Sequence, residues 1–461
     1  MRRQSKIALT LAFGLTVPWV LVELVRSVLP PLLSAVGVAF TAPAGLDHMA
    51  AVPTVIVSGL SVLGAAFLLA WAAETAEKDV PRAFAIAVLA VLAVAPEYAV
   101  GALYAWNAGL YAGTERGAEA ANLVIANMTG ANRLLIGIGW AGIALFTIYR
   151  HGSSEDPAVE SRNGFLASVV TLDRDIGLDV VFLLAATLWA FFVPFNGGID
   201  ILDTVLLVGL YVAYILVVLR GDVDPEEEHV GVPASLQQFH FPKRVATVVF
   251  LFAYSGLMIF TAVEPFAHGL EVLGKAAGVP SFFMIQWIAP LASESPELIV
   301  VLYLVNKARS TAGFNALISS KLNQWTLLIG TFAVVYSLSL GQYAALPFHA
   351  KQSAEIWLTA AQSYFAISVL LNFEISVREA ITLLVLFVSQ VVLEFLIIKE
   401  LIVLPVTSLE LLLVFAAIYV VLGTALFIRR RQAARRLVTR VSGTIATALG
   451  RDQPSPRSAD D

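Results

Sequence analysis

The chain has 461 residues, of which 58% are hydrophobic and only 14% charged, with a mean hydropathy of +0.81. That balance excludes a soluble globular protein, whose surface would need far more charge, and marks a multispanning membrane protein. The absence of cysteine excludes disulfides, thiolate metal sites and cysteine nucleophiles, and the net charge of −5 matters less than where the charges lie.

Apolar runs of spanning length fall at about 7–27, 51–73, 83–106, 119–149, 176–195, 200–219, 245–270, 279–306, 311–340, 353–373, 377–398 and 405–428, which predicts roughly twelve helices. The basic start before the first run suits a signal peptide, but no small-residue cleavage site follows and Glu23 and Arg26 close the run, so a retained helix is expected. The short, proline-flanked run 30–42 reads as interfacial or as a bent continuation of that helix. With the N-terminus placed inside, one set of connections collects Lys78, Arg82, Arg150, Arg162, Arg174, Arg220, Lys243, Arg244, Lys307, Arg309 and Arg378. The tail adds Arg429, Arg430, Arg431, Arg435 and Arg436, while the opposite connections carry mostly single cations such as Arg116, Lys275, Lys351 and Lys399. The positive-inside rule then predicts both termini cytoplasmic in the cell membrane.

The organisation expected is an extra N-terminal helix and interfacial segment (1–50), a first unit (51–220), an acidic linker (221–244), a second unit (245–400), an extra C-terminal helix (401–432) and a tail (433–461) that is basic and then disordered. The linker, with Asp222–Glu228 and Pro225, Pro233 and Pro242, reads as a connector rather than a domain.

Two Pro-Glu pairs, Pro96-Glu97 and Pro296-Glu297, sit inside apolar runs, one in each half. An intramembrane carboxylate costs roughly 2.5–3.5 kcal/mol on the mildest scale. A proline there frees a backbone carbonyl, which is tolerated where the helix lines a site. In the predicted topology the two helices are antiparallel, so the halves form an inverted repeat with a binding site near the midplane. Glu294 and Glu297, three apart, share nearly one helical face, with Ser293 four before Glu297. The next run supplies Ser319, Ser320, Lys321, Asn323 and Gln324, and in the first half Glu97 is followed by Asn127, Thr129, Gly130, Asn132 and Arg133. Carboxylates, hydroxyls, amides and freed carbonyls are the oxygens that hard cations take. Glu23, Glu394 and Lys399 read as helix-end residues that snorkel or cap, and the six histidines lie mostly in loops and form no metal cluster. Small residues at Gly101, Gly130, Gly137 and Gly139 are expected to let helices approach closely.

These stretches resemble the sodium/calcium exchanger superfamily, whose two alpha-repeats each carry a helix ending in Pro-Glu and a following helix with Gly-Asn-x-x-Gly-Ser-Asn. The matching stretches are Val94-Ala95-Pro96-Glu97 with Ala126-Asn127-Met128-Thr129-Gly130-Ala131-Asn132, and Ser293-Glu294-Ser295-Pro296-Glu297 with Ser319-Ser320-Lys321-Leu322. The resemblance, over roughly 51–400, implies an all-α polytopic fold: a ten-helix inverted-repeat core with one extra helix at each end. It implies a cation site with Glu97 and Glu297 as the principal metal ligands, supported by Glu294, Ser293, Asn127, Asn132, Ser320, Asn323 and Gln324. The chain departs from the family pattern at Ala93-Val94 in place of Thr-Ser, at Glu294 in place of serine, and at Leu135, which cannot ligate where Gln324 does in the second repeat. It departs most at Arg133 and Lys321, two cations beside the site that need partners, for which Glu97, Glu294 and Glu297 are the expected choice.

The function expected is a secondary antiporter moving Ca2+ and/or Na+ against Na+ or H+ by alternating access. The alternative is a proton-coupled monovalent antiporter in which Lys321 or Arg133 replaces a bound cation. No enzyme signature is expected: no His-Glu-x-x-His helix, no Gly-x-Ser-Gly nucleophile and no P-loop of the Gly-x-x-x-x-Gly-Lys type. No cofactor and no nucleic acid are expected; inorganic cations and the bilayer are the expected partners.

Overall fold

The computed structural model describes residues 3–35, 49–79, 95–154, 156–164, 166–220, 231–402 and 405–449. The expectations for 36–42, 83–94, Asp222–Glu228 and the tail from Gly450 lie outside the described residues. Helix α1 (Arg3–Ala35) passes through a π-helical turn at Leu24–Val28, so the described start of the run 30–42 continues the first helix. Next come α2 (Ala51–Ala76), α3 (Ala95–Leu110), α4 (Glu115–His151), α5 (Arg174–Asn196) and α6 (Ile201–Arg220). A short α7 (Gly231–Leu236) precedes α8 (Phe241–Ala276), α9 (Ser281–Asn306), α10 (310–340), α11 (Ala350–Leu370) and α12 (Val377–Ile398). Helices α13 (Ser408–Arg429) and α14 (Arg431–Ala448) follow.

Among the described residues, nine helices are long and apolar enough to cross a membrane. The predicted runs outside that set fall on α3, of which only Ala95–Leu110 is described, and on α10 and α11, which carry the buried polar side chains Lys321 and Gln324, and Glu355 and Gln362. On α10 and α11 that polarity lowers the hydropathy that identifies a span. Two expectations change. The linker is helical from Gly231, and α8 already begins at Phe241 rather than at 245. Residues 431–448 of the tail form a helix whose Ala434, Leu437 and Val441 are buried against the bundle. A basic segment orders here because those three residues repeat on one face.

Helices α2 and α8 pair along their length, with the Gly59 backbone against Phe266 and Gly269 against Val55, and α1 crosses α2 at Gly64. The Trp19 indole of α1 donates to Thr261 of α8 at 3.0 Å. Lipid gives little driving force for helix association, so such close contacts and interhelical hydrogen bonds must hold the bundle. The second layer contains α3, α4, α9 and α10. Helix α4 crosses α9 at Gly130, where a Cβ would lie 1.8 Å from the Gln286 carbonyl oxygen. Gly101 abuts Phe332 and Gly137 abuts Phe387, whereas Gly139 makes only ordinary contacts, so the close-packing expectation fails there.

Two small sheets tie the halves together. Strand β1 (Val159–Glu160) pairs with β2 (Val169–Thr171), and β2 pairs antiparallel with β5 (Glu374–Ser376), Val170 facing Ile375. Strand β3 (Gly198–Ile199) pairs with β4 (Leu346–Pro347). The first sheet joins the α4–α5 and α11–α12 connections, and the second joins α5–α6 to α10–α11. Those connections therefore lie on opposite faces, as an up-and-down bundle requires.

Candidate functional site

The site is assembled by proline chemistry in α9 and by helix crossings. Pro290 and Pro296 lie inside α9 and, having no N–H, leave the carbonyls of Gln286 and Ala292 without their helical donors. The Gln286 carbonyl is the atom that Gly130 of α4 approaches, so the break in one repeat receives the small residue of the other. Around this crossing Glu97 of α3 and Glu294 of α9 are each only 2% exposed. The Glu97 carboxyl lies against the Ser293 hydroxyl and the Glu294 carboxyl, and Glu297 lies close enough to Glu294 to repel it.

Hydroxyl and amide side chains named from the sequence lie around them. Gln324 Nε2 donates to Glu294 Oε1 at 2.6 Å, Ser320 Oγ to the half-buried Glu297 at 2.9 Å, and Asn127 Nδ2 to the Glu97 carbonyl at 3.3 Å. The Tyr98 hydroxyl donates to Asn323 Oδ1 at 3.2 Å. Glu97 Oε1 and Gln324 Oε1 are buried with no hydrogen-bond partner among the described residues. Two orphaned acceptors beside three carboxylates are what a cation would satisfy. Among the described residues no three acidic or histidine side chains converge on one point. A calcium ion, which takes six to eight oxygens, would thus need hydroxyl, amide and carbonyl oxygens in addition.

The two basic residues are both buried, which excludes snorkelling, and they differ in their partners. Lys321 is fully buried; its Nζ donates to Asn132 Oδ1 at 2.8 Å and to the Asn132 carbonyl at 3.1 Å, lies 4.5 Å from the Trp325 ring, and feels the Glu294 charge. Its direct partners are therefore amide oxygens, not the carboxylate expected from sequence. Arg133 leaves the site altogether. It pairs with Glu355 of α11 at 2.7 Å, donates to Gln390 of α12 and stacks on Trp287, so its expected pairing with Glu97, Glu294 or Glu297 is not observed. Asn132 and Arg133 are consecutive on α4 and so point in different directions around it: Asn132 faces Lys321 of α10, while Arg133 faces Glu355 of α11.

The profile of the family described as sodium/calcium exchanger protein matches residues 50–220 and 247–396. The chain belongs to the sodium/calcium exchanger family. A crystal structure described as the H+/Ca2+ exchanger CAX aligns with a TM-score of 0.80 and 40% identity, covering 96% of this chain and 99% of that one. The structure of native YfkE aligns with a TM-score of 0.54 at 15% identity, covering 83% and 98%, a likeness of fold. A comparison with curated protein sequences finds no match. The chain is thus a cation antiporter of the exchanger type, an all-α polytopic membrane protein with an inverted-repeat core.

The repeats show in a feature that sequence reading missed. In this exchanger α4 turns π-helical at Leu135 and α10 at Gln324. Asn132 and Lys321 each stand three residues before that turn, and they touch one another. Equivalent positions of the two repeats therefore meet. Three further carboxylates also escaped the motif search. Glu355, fully buried, accepts from Gln286 Nε2 at 2.9 Å as well as from Arg133. Glu394, expected to cap or snorkel, is instead buried, accepts from Gln390 at 2.8 Å and pairs with Lys351 at 3.2 Å. Asp179 of α5 accepts from Ser319 at 2.7 Å and from Tyr214 at 2.9 Å. The signal available for all three was a carboxylate inside an apolar run. Lys399 does cap, donating to the Ala277 carbonyl at the end of α8 at 2.5 Å.

One expectation is corrected: the Gly-x-x-x-x-Gly-Lys spacing does occur, at Gly269–Lys275, but Ala276 stands where the P-loop needs a hydroxyl and the segment lies within continuous helix α8 instead of a loop.

Proposed function

We propose that this exchanger moves Ca2+ against protons at the Glu97–Glu294–Glu297 cluster, with both termini cytoplasmic and with 51–220 and 245–400 as the two inverted repeats. The observation that carries this reading is the buried Lys321, which feels the charge of Glu294, the carboxylate that Glu97 and Glu297 flank. Three negative charges less one ammonium leave two, the charge that one Ca2+ or two protons would neutralise. A site balanced for either occupant can exchange them without burying net charge at any stage, which low dielectric otherwise makes costly. Glu97, Glu297 and Glu294 act as cation ligands and proton carriers. Ser293, Ser320, Asn127, Asn323 and Gln324 complete the oxygen set, while Asn132 holds Lys321 in place. Alternating access follows if the layer of α1, α2 and α8 moves against α3, α4, α9 and α10 around this fixed cluster. The identity of 40% to a structure described as an H+/Ca2+ exchanger supports the choice of ions.

The test is flux in reconstituted vesicles, following calcium and internal pH under opposed proton and sodium gradients. The expected result is proton-driven calcium movement, abolished in both Glu97→Gln and Glu297→Gln with expression intact. Sodium–proton exchange without calcium movement would instead mean that Lys321 has converted the site to monovalent ions. Normal transport by either variant would displace the site.

A further inference from the structure

Away from the cation site, a cavity of about 460 Å³ opens on the face that carries the β1–β2–β5 sheet. It is rimmed by Arg174 at the start of α5, Arg429 and Arg430 at the end of α13, and Arg436 and Arg440 of α14. Its floor is apolar, with Leu371 and Leu437 both buried. Two of the guanidinium groups are committed. Arg430 pairs with Glu379 at 2.6 Å and donates to the Ser368 and Val369 carbonyls that end α11, and Arg440 stands 3.9 Å from Asp175. Arg174, Arg429 and Arg436 have no carboxylate partner among the described residues. The cavity therefore gathers three cations with no described carboxylate partner over an apolar floor, at the level where transmembrane helices end.

From this arrangement we propose that the cavity is a binding site for the phosphate headgroup of an anionic lipid, with the guanidinium groups on the phosphate and the glycerol end over Leu371 and Leu437. Arginines hold phosphate through paired N–H donors. Basic clusters directly beyond a membrane helix or on an amphipathic helix recognise acidic headgroups. Helix α14 has both properties: its apolar side packs against α5, with Leu437 reaching Gly177, while its Arg436 and Arg440 line the cavity. A bound headgroup would bridge α14 to the ends of α5 and α13, compensating charges that otherwise repel.

The experiment uses the full chain in neutral detergent and needs no assumption about orientation. Thermal unfolding is followed while short-chain phosphatidylglycerol, short-chain phosphatidylcholine or inorganic phosphate is added. Phosphatidylglycerol should raise the unfolding temperature saturably, phosphatidylcholine should not, and inorganic phosphate should act much more weakly. Loss of two charges in Arg429→Gln/Arg436→Gln should weaken the apparent affinity for phosphatidylglycerol by roughly thirtyfold. That double variant alters exposed side chains, so its unfolding temperature without lipid and its calcium flux should match the parent. No response to phosphatidylglycerol, or an undiminished response in the double variant, overturns the proposal. An equal response to inorganic phosphate assigns the site to free phosphate and overturns the lipid assignment.

Discussion

A buried ammonium destabilises a membrane bundle unless dipoles and carboxylates surround it, and Lys321 directs its donors to two oxygens of Asn132 beside the face of Trp325. Replacing it by asparagine removes one positive charge from the cluster. Lys321→Asn is expected to bind Ca2+ about tenfold more tightly, and exchange should become sensitive to membrane potential, because the site then carries an extra negative charge; titration of calcium in detergent and flux at clamped potentials measure the two effects. Arg133 has a different task. Its ion pair with Glu355 is wholly inside the protein, so Glu355→Ala strands a cation and should cost about 3–5 kcal/mol in unfolding measurements. The double change Arg133→Met/Glu355→Leu should recover most of that loss. Glu97 and Glu297 were legible in the sequence because a carboxylate beside a proline in an apolar run has few structural excuses. Glu355, Glu394 and Asp179 lacked the proline, and their importance lies in partners on other helices.

At the scale of elements, the crossing of α4 and α9 is set by Gly130 and by the carbonyl that Pro290 frees. No side chain fits there. Gly130→Ala is expected to destabilise the bundle by about 1–3 kcal/mol through overpacking and to abolish exchange. Gly142→Ala, on the same helix with nothing within 4 Å of the added carbon, should leave exchange unchanged and serve as the control in the same flux assay. The π-helical turns in α4 and α10 belong to this scale too. Each inserts a residue just after the site positions, re-aiming the side chains that follow, and such turns cluster at functional sites. Apolar runs of spanning length located these helices to within a few residues but contained no sign of the turns, because a π turn changes the hydrogen-bond register without changing composition.

Across the whole molecule, long-range ties hold the layers in place. Asp79, after α2, accepts from Arg244 at the base of α8 through both carboxylate oxygens. That guanidinium holds the Asp79 carboxyl below its ordinary value of 3.8, so the pair's stabilisation is present above 3.8 and is lost as pH falls through the lowered value. Asp79→Asn should therefore lower the unfolding temperature at neutral pH, and the difference from the parent should shrink as the buffer is taken below 3.8. The sequence by itself determined the membrane class, the position of nearly every helix, the two Pro-Glu helices and the exchanger family, since these rest on local hydropathy, proline and short spacing. Only the tertiary structure decided which charge meets which. Arg133 and Glu355 are 222 residues apart, Lys321 and Asn132 are 189, and whether two such side chains meet depends on helix rotation and crossing, which membrane helices apolar on most of their faces leave undefined in the sequence.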